Sequence, residues 1–191
     1  MRVILPMPFA VLLTACAAGD ASLPGALQPP SENVWKVEQK PDQITGLPAA
    51  TAWIRTLSTS NSKTWENRPA VLQLMCFKGN PIVRLNFATR AGSNRNSTVG
   101  YRFDEKPGRE VSATFMPDFR TVIIDEKPEV EQFLNELAES NRLLVRVTSL
   151  YAGRTTAQFV LTGAPDAIEA AYAPCRAKAD KLRQRTSTAA P

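Results

Sequence analysis

The sequence predicts a mainly β fold with two helices: an antiparallel β-sandwich or curled sheet, a late helix and a C-terminal helix. Three observations carry this. Apolar and polar residues alternate with period 2 in at least seven short runs between Thr51 and Thr162. Turn residues such as Lys78-Gly79-Asn80-Pro81 and Asp104-Glu105-Lys106-Pro107-Gly108 separate several of these runs at hairpin spacing. The helical period appears only twice, after Pro128 and after Pro165. With 43% hydrophobic residues in 191, the chain has enough apolar side chains for a real core.

Taken in order, Val34 to Glu38 reads as a short edge strand or packed arm and 40–48 as loop. From Thr51, Trp53, Arg55 and Leu57 alternate with Ile54, Thr56 and Ser58 as one strand. Ala70 to Phe77 and Ile82 to Phe87 form a hairpin, with Val83, Leu85 and Phe87 on one face. Val99, Tyr101 and Phe103 mark the next strand, Val111, Ala113 and Phe115 another, and Phe119 to Asp125 a further one. Val130, Phe133, Leu134, Leu137 and Ala138 fall on one helix face, and Pro128 suits the first turn, where its missing N–H costs nothing. Leu143 to Thr148 and Thr155 to Thr162 flank the turn Tyr151-Ala152-Gly153-Arg154. In the last helix Ile168, Ala171, Tyr172 and Cys175 share a face, and the apolar side fades after Arg176.

The N-terminus reads as an address. A basic start, an apolar run from Val3 to Leu13 and small residues ahead of Cys16 form a secretory signal peptide, too short to span a membrane as a helix. Leu13-Thr14-Ala15-Cys16 resembles the bacterial lipobox. That resemblance implies lipidation of Cys16, with hydrophobic anchoring of roughly 0.8 kcal/mol per buried CH₂. Ala17, rather than Asp, in the second mature position implies the outer membrane, with the folded part facing the periplasm. The predicted organisation is a signal peptide over 1–15, a lipid-anchored tether over 16–50, a β-rich domain over 51–176 and a basic, frayed tail over 177–191. The tail carries Lys178, Lys181, Arg183 and Arg185 against Asp180, a pattern that keeps a terminal segment soluble.

Once Cys16 is acylated, two cysteines remain, Cys76 and Cys175, and an exported chain with an even pair of thiols most simply joins them. No CxxC spacing points to redox chemistry. The bond would clamp the last helix onto the sheet.

The order of elements from about Trp53 to Cys175 resembles the VasI/TagO-like family of type VI secretion accessory proteins. Its matching features are Leu72-Gln73-Leu74-Met75-Cys76, Tyr101-Arg102-Phe103-Asp104 (close to the family's Arg-Phe-Asp signature), Phe133-Leu134-x-x-Leu137, the strands from Leu143 and Thr156, and Cys175 seven residues after Ile168. The two cysteines fall where the family has them. The resemblance implies a fold, an exported compartment and a role in an envelope-spanning apparatus.

Chemistry is constrained mainly by what is missing. The chain has no histidine, so it offers no His-based triad, no HExxH zinc motif and no imidazole switch. A DxDxDG calcium loop is also missing, and without histidine a serine nucleophile would have to rely on a lysine base. The carboxylates Asp125, Glu126, Glu129, Glu131, Glu136 and Glu139 lie around one amphipathic helix, where a solvated face explains them better than the facing pair that glycoside hydrolysis needs. No enzyme activity, cofactor or metal is expected, and export argues against nucleic acid as a partner.

Arg102 and Asp104 flank Phe103 and face away from the side that buries it, which predicts a structural salt bridge or turn-capping pair. Partner-binding candidates are Arg90, Asn94 and Arg95 in the polar loop 89–97, and Tyr151 and Arg154 at the later turn. The expected partners are the membrane, through the lipid, and an envelope protein. An inhibitor that inserts these loops into a lysozyme or another peptidoglycan hydrolase is the alternative reading.

Overall fold

The computed structural model describes residues 34–41, 43, 46, 48–56, 58–64 and 68–188, with backbone alone at Pro48 and over 177–188. The signal peptide, Cys16 and most of the tether lie outside the described residues. Among the described residues no helix is long and apolar enough to cross a membrane.

Among the described residues eleven strands form two antiparallel sheets. The six-stranded sheet has the order β1 (Lys36–Pro41), β2 (Pro48–Arg55), β4 (Ala70–Phe77), β5 (Asn80–Phe87), β9 (Thr121–Ile124), β8 (Thr114–Phe115). The five-stranded sheet has the order β3 (Thr59–Asn61), β11 (Gly153–Val160), β10 (Arg142–Ser149), β6 (Thr98–Phe103), β7 (Arg109–Ser112). The helices are α1 (Lys127–Glu139) and α2 (Ala164–Thr188).

Period-2 alternation decides which rows turn inward. In β4 these are Ala70, Leu72 and Leu74; in β5, Val83, Leu85 and Phe87; in β10, Leu143, Val145 and Val147. With Val99, Tyr101 and Phe103 of β6 and Ala157 and Phe159 of β11 they make one continuous core. The β4–β5 hairpin turns on Lys78 and Gly79, both with positive φ (51° and 84°), the geometry a two-residue turn needs between right-twisted strands.

One run read as a single strand ends early, at Arg55, and another divides between the sheets. After Arg55 the Thr56 hydroxyl accepts the Ser58 N–H (3.3 Å), and the chain then crosses so that Thr59–Asn61 pairs with β11. At Ala113 a second break separates β7, paired with β6, from β8, paired with β9. Such switches leave the alternation of side chains intact, so the pattern alone reads straight through them. At the N-terminal side β1 pairs with β2 along its whole length, so the short strand expected over 34–38 within the tether lies at 36–41 and belongs to the sheet.

Helix α1 buries Val130, Phe133 and Leu137, while Ala138 is exposed instead of joining that face. Phe133 meets Tyr101 and Phe103 edge-on, with centroids 5.0 and 5.1 Å apart. Helix α2 lies over β2 and β4 and buries Ala164, Ala167, Ala171 and Tyr172. Its backbone stays helical through Thr188, where the fading apolar face predicts a frayed tail; Ala, Lys, Arg and Gln in that stretch are strong helix formers. Cys175 therefore sits inside the helix, directly after Pro174, and is joined to Cys76 with the Cα atoms 5.6 Å apart.

The Tyr172 hydroxyl donates to the Ile82 carbonyl (2.8 Å) beneath α2. Burial raises its pKa strongly, and burial together with the nearby Glu136 carboxylate pushes Tyr101 up to about 12. An unfolded tyrosine ionises near pH 10, so the unfolded chain releases these protons first as pH rises. Stability should hold below about pH 10 and fall through pH 10–12. Urea unfolding across that range should show a shallower alkaline decline for Tyr172→Phe than for the natural chain.

Candidate functional site

Three loop segments meet at one end of the sandwich: 62–64, 88–97 and the β10–β11 turn at 150–152. Each is pinned by named bonds. In the loop 88–97, the Ala91 and Gly92 N–H groups both donate to the Phe119 carbonyl (2.9 and 3.0 Å). The Arg90 guanidinium stacks over the Phe119 ring (4.4 Å) and donates to the Gly92 carbonyl (3.2 Å). Ala91 is fully buried, so the loop has the apolar anchor that its polar sequence hid. Asn96 donates to the Thr148 carbonyl (2.7 Å), fixing the loop beside the end of β10. Its tip, Asn94 and Arg95, faces outward, and Ala88, Arg90 and Ser97 are exposed as well.

The β10–β11 turn is held from the other side. Lys63 Nζ donates to the carbonyls of Leu150 (2.8 Å) and Tyr151 (3.2 Å), and Asn61 Nδ2 to that of Ala152 (2.8 Å). Gly153 closes the turn at φ +77°, and a Cβ there would lie 2.6 Å from Ser62 Oγ, so the close approach of the two segments requires glycine. On this fixed frame Leu150 is 77% exposed and Tyr151 59% exposed.

The five candidate residues therefore separate into three groups. Asn94, Arg95 and Tyr151 share the loop end. Arg90 is engaged within its own loop. Arg154 projects from the outer face of the five-stranded sheet, where it shares a groove of about 470 Å³ with Arg102 and Arg146. Sequence reasoning missed Arg146 and Leu150. The parity of β10 marks Arg146 as outward, yet only the pairing of β10 with both neighbours brings it between the other two arginines.

Arg102 makes no contact with Asp104 that would join them as a pair. Asp104, at φ 46°, instead accepts the backbone N–H groups of Asn141 (3.1 Å) and Arg142 (2.8 Å), tying the end of β6 to the start of β10. Phe103 is fully buried. The carboxylates of α1 lie among cations: Glu131 with Lys127, Glu136 with Arg109 and Glu139 with Lys106, at 3.8–3.9 Å. Among the described residues no three acids or cysteines converge as metal ligands.

No family model matches the chain, and no curated protein does. Among solved structures, the crystal structure of invasion associated protein B from Bartonella henselae is similar, with a TM-score of 0.47 and 14% sequence identity, covering 73% of this chain and 92% of that one.

Proposed function

We propose that the chain is a non-catalytic, lipid-anchored binding protein of a bacterial cell envelope, which contacts a protein partner through its loop end. The observation that carries this reading is the exposed Leu150–Tyr151 pair on a turn fixed by Lys63, Asn61 and Gly153. A large apolar pair held rigidly in water contributes contact area with little ordering cost on binding, which is the character of an interface anchor. The polar neighbours Asn94 and Arg95 supply a rim.

The compartment rests on the Leu13–Cys16 motif, which supports an outer-membrane anchor with the domain in the periplasm. The ordered features from Trp53 to Cys175 support an accessory role in an envelope apparatus of the type VI secretion kind. A second reading, inhibition of a peptidoglycan hydrolase, draws on the two adjacent loops at one end, an arrangement suited to entering a cleft.

Crosslinking in native envelopes, followed by purification of the natural chain and a Cys16→Ala variant, tests the reading. Apparatus components lost with the variant support the anchored accessory. A hydrolase retained by both supports the inhibitor. A Cys16 without lipid by intact mass contradicts the anchor.

A further inference from the structure

The outer face of the five-stranded sheet carries a straight diagonal of arginines. Arg102 on β6 lies opposite Leu144 of β10, and Arg146 is two residues further along β10. Arg154 on β11 lies opposite Thr148, two residues beyond Arg146. Each step crosses one strand and advances two residues, so neighbouring arginine Cα atoms stand roughly 8 Å apart and the stripe spans about 16 Å.

The floor between them is low. Gly100 faces Arg146 without a side chain, and Leu144 is half-buried between Arg102 and Arg146. Among the described residues none of the three guanidinium groups forms an ion pair, whereas the flanking Arg109 and Arg142 are paired with Glu136 and Glu105. The acid at the groove, Glu110, accepts the Thr98 hydroxyl (2.6 Å). The stripe is thus a line of three arginines without ion pairs along a shallow groove, with the single carboxylate of Glu110 at its edge.

We infer that this groove binds an extended acidic segment of a protein, with carboxylates on alternate residues seated on Arg102, Arg146 and Arg154. An extended chain places side chains i and i+2 about 7 Å apart, within reach of guanidinium groups spaced at roughly 8 Å. Arginine forks match carboxylates bidentately, which gives the face more than a diffuse attraction. The described outward positions of β6, β10 and β11 hold no aromatic ring, and Tyr101 points into the core, so the face lacks the stacking platform that unpaired bases use. The site is separate from the Leu150–Tyr151 end and does not depend on lipid anchoring.

The test uses the full chain in neutral detergent and a fluorescein-labelled peptide of alternating glutamate and serine, read by fluorescence anisotropy. The variant Arg102→Gln/Arg146→Gln/Arg154→Gln should bind about tenfold more weakly or worse, a loss of about 1.4 kcal/mol. A variant with the same charge removed elsewhere, Arg55→Gln/Arg120→Gln/Lys127→Gln, should change affinity less than about twofold. All six positions are exposed, and unchanged thermal unfolding confirms that each variant is folded. Equal loss in both variants overturns the inference, because binding then follows net charge alone. No binding of the peptide, with capture of anionic phospholipid vesicles or dextran sulfate in its place, also overturns it.

Discussion

Replacing both Cys76 and Cys175 by serine should lower the unfolding free energy by about 3–4 kcal/mol, with roughly 4.7 kcal/mol as the ceiling from chain entropy for a loop of this length. The two residues are 99 apart in sequence, so the bond removes a large set of open conformations from the unfolded chain. Its position adds a local effect. Pro174 cannot donate a hydrogen bond to the preceding turn, so α2 is weakened just where Cys175 ties it to β4. Urea unfolding of the oxidised chain against the double variant measures the total. Amide exchange should then rise most in the part of α2 around 170–176. A loss below about 1 kcal/mol would mean that packing of Ala167, Ala171 and Tyr172 already holds the helix.

Phe133→Ala should cost about 3–5 kcal/mol, the range for emptying a large aromatic site in a packed core. The ring is fully buried and meets both Tyr101 and Phe103 edge-on. Leu134, one residue on, is only half-buried, and Leu134→Ala should cost clearly less. Combining Phe133→Ala with Phe103→Ala should give a non-additive total, with a coupling of about 0.5–1.5 kcal/mol from the shared ring contact. Additive losses would show that α1 is held by burial alone.

Side-chain parity made most of the fold legible. Leu72, Leu74, Val83, Leu85 and Phe87 alternate cleanly because one face of each strand meets the core, and the turn at Lys78-Gly79 is written in residue types that tolerate positive φ. The helix faces of α1 and the first half of α2 follow from the same logic at period 3.6. Parity says nothing about which sheet a strand joins, and this hid the crossings at Thr56 and Ala113. It also hid the buried Ala91, whose anchor is the carbonyl of Phe119, 28 residues away in sequence.

The candidate site was legible to a smaller extent. Composition flagged Asn94, Arg95, Tyr151 and Arg154 as polar or exposed positions in loops. It could not show that Arg154 leaves the loop end and joins Arg102 and Arg146, because that depends on the register of β6, β10 and β11 together. Leu150 escaped notice because a leucine at the end of an apolar strand reads as core, and only the turn geometry exposes it.

The most direct test places a photoreactive amino acid at position 151 in the chain in living cells, with the same probe at Arg120 as a control. If the loop end is the contact surface, irradiation at 151 gives one discrete protein adduct that position 120 does not, and Leu150→Ser abolishes it while thermal unfolding stays unchanged. No adduct at 151, or the same adducts at both positions, would contradict a binding role for this end of the molecule.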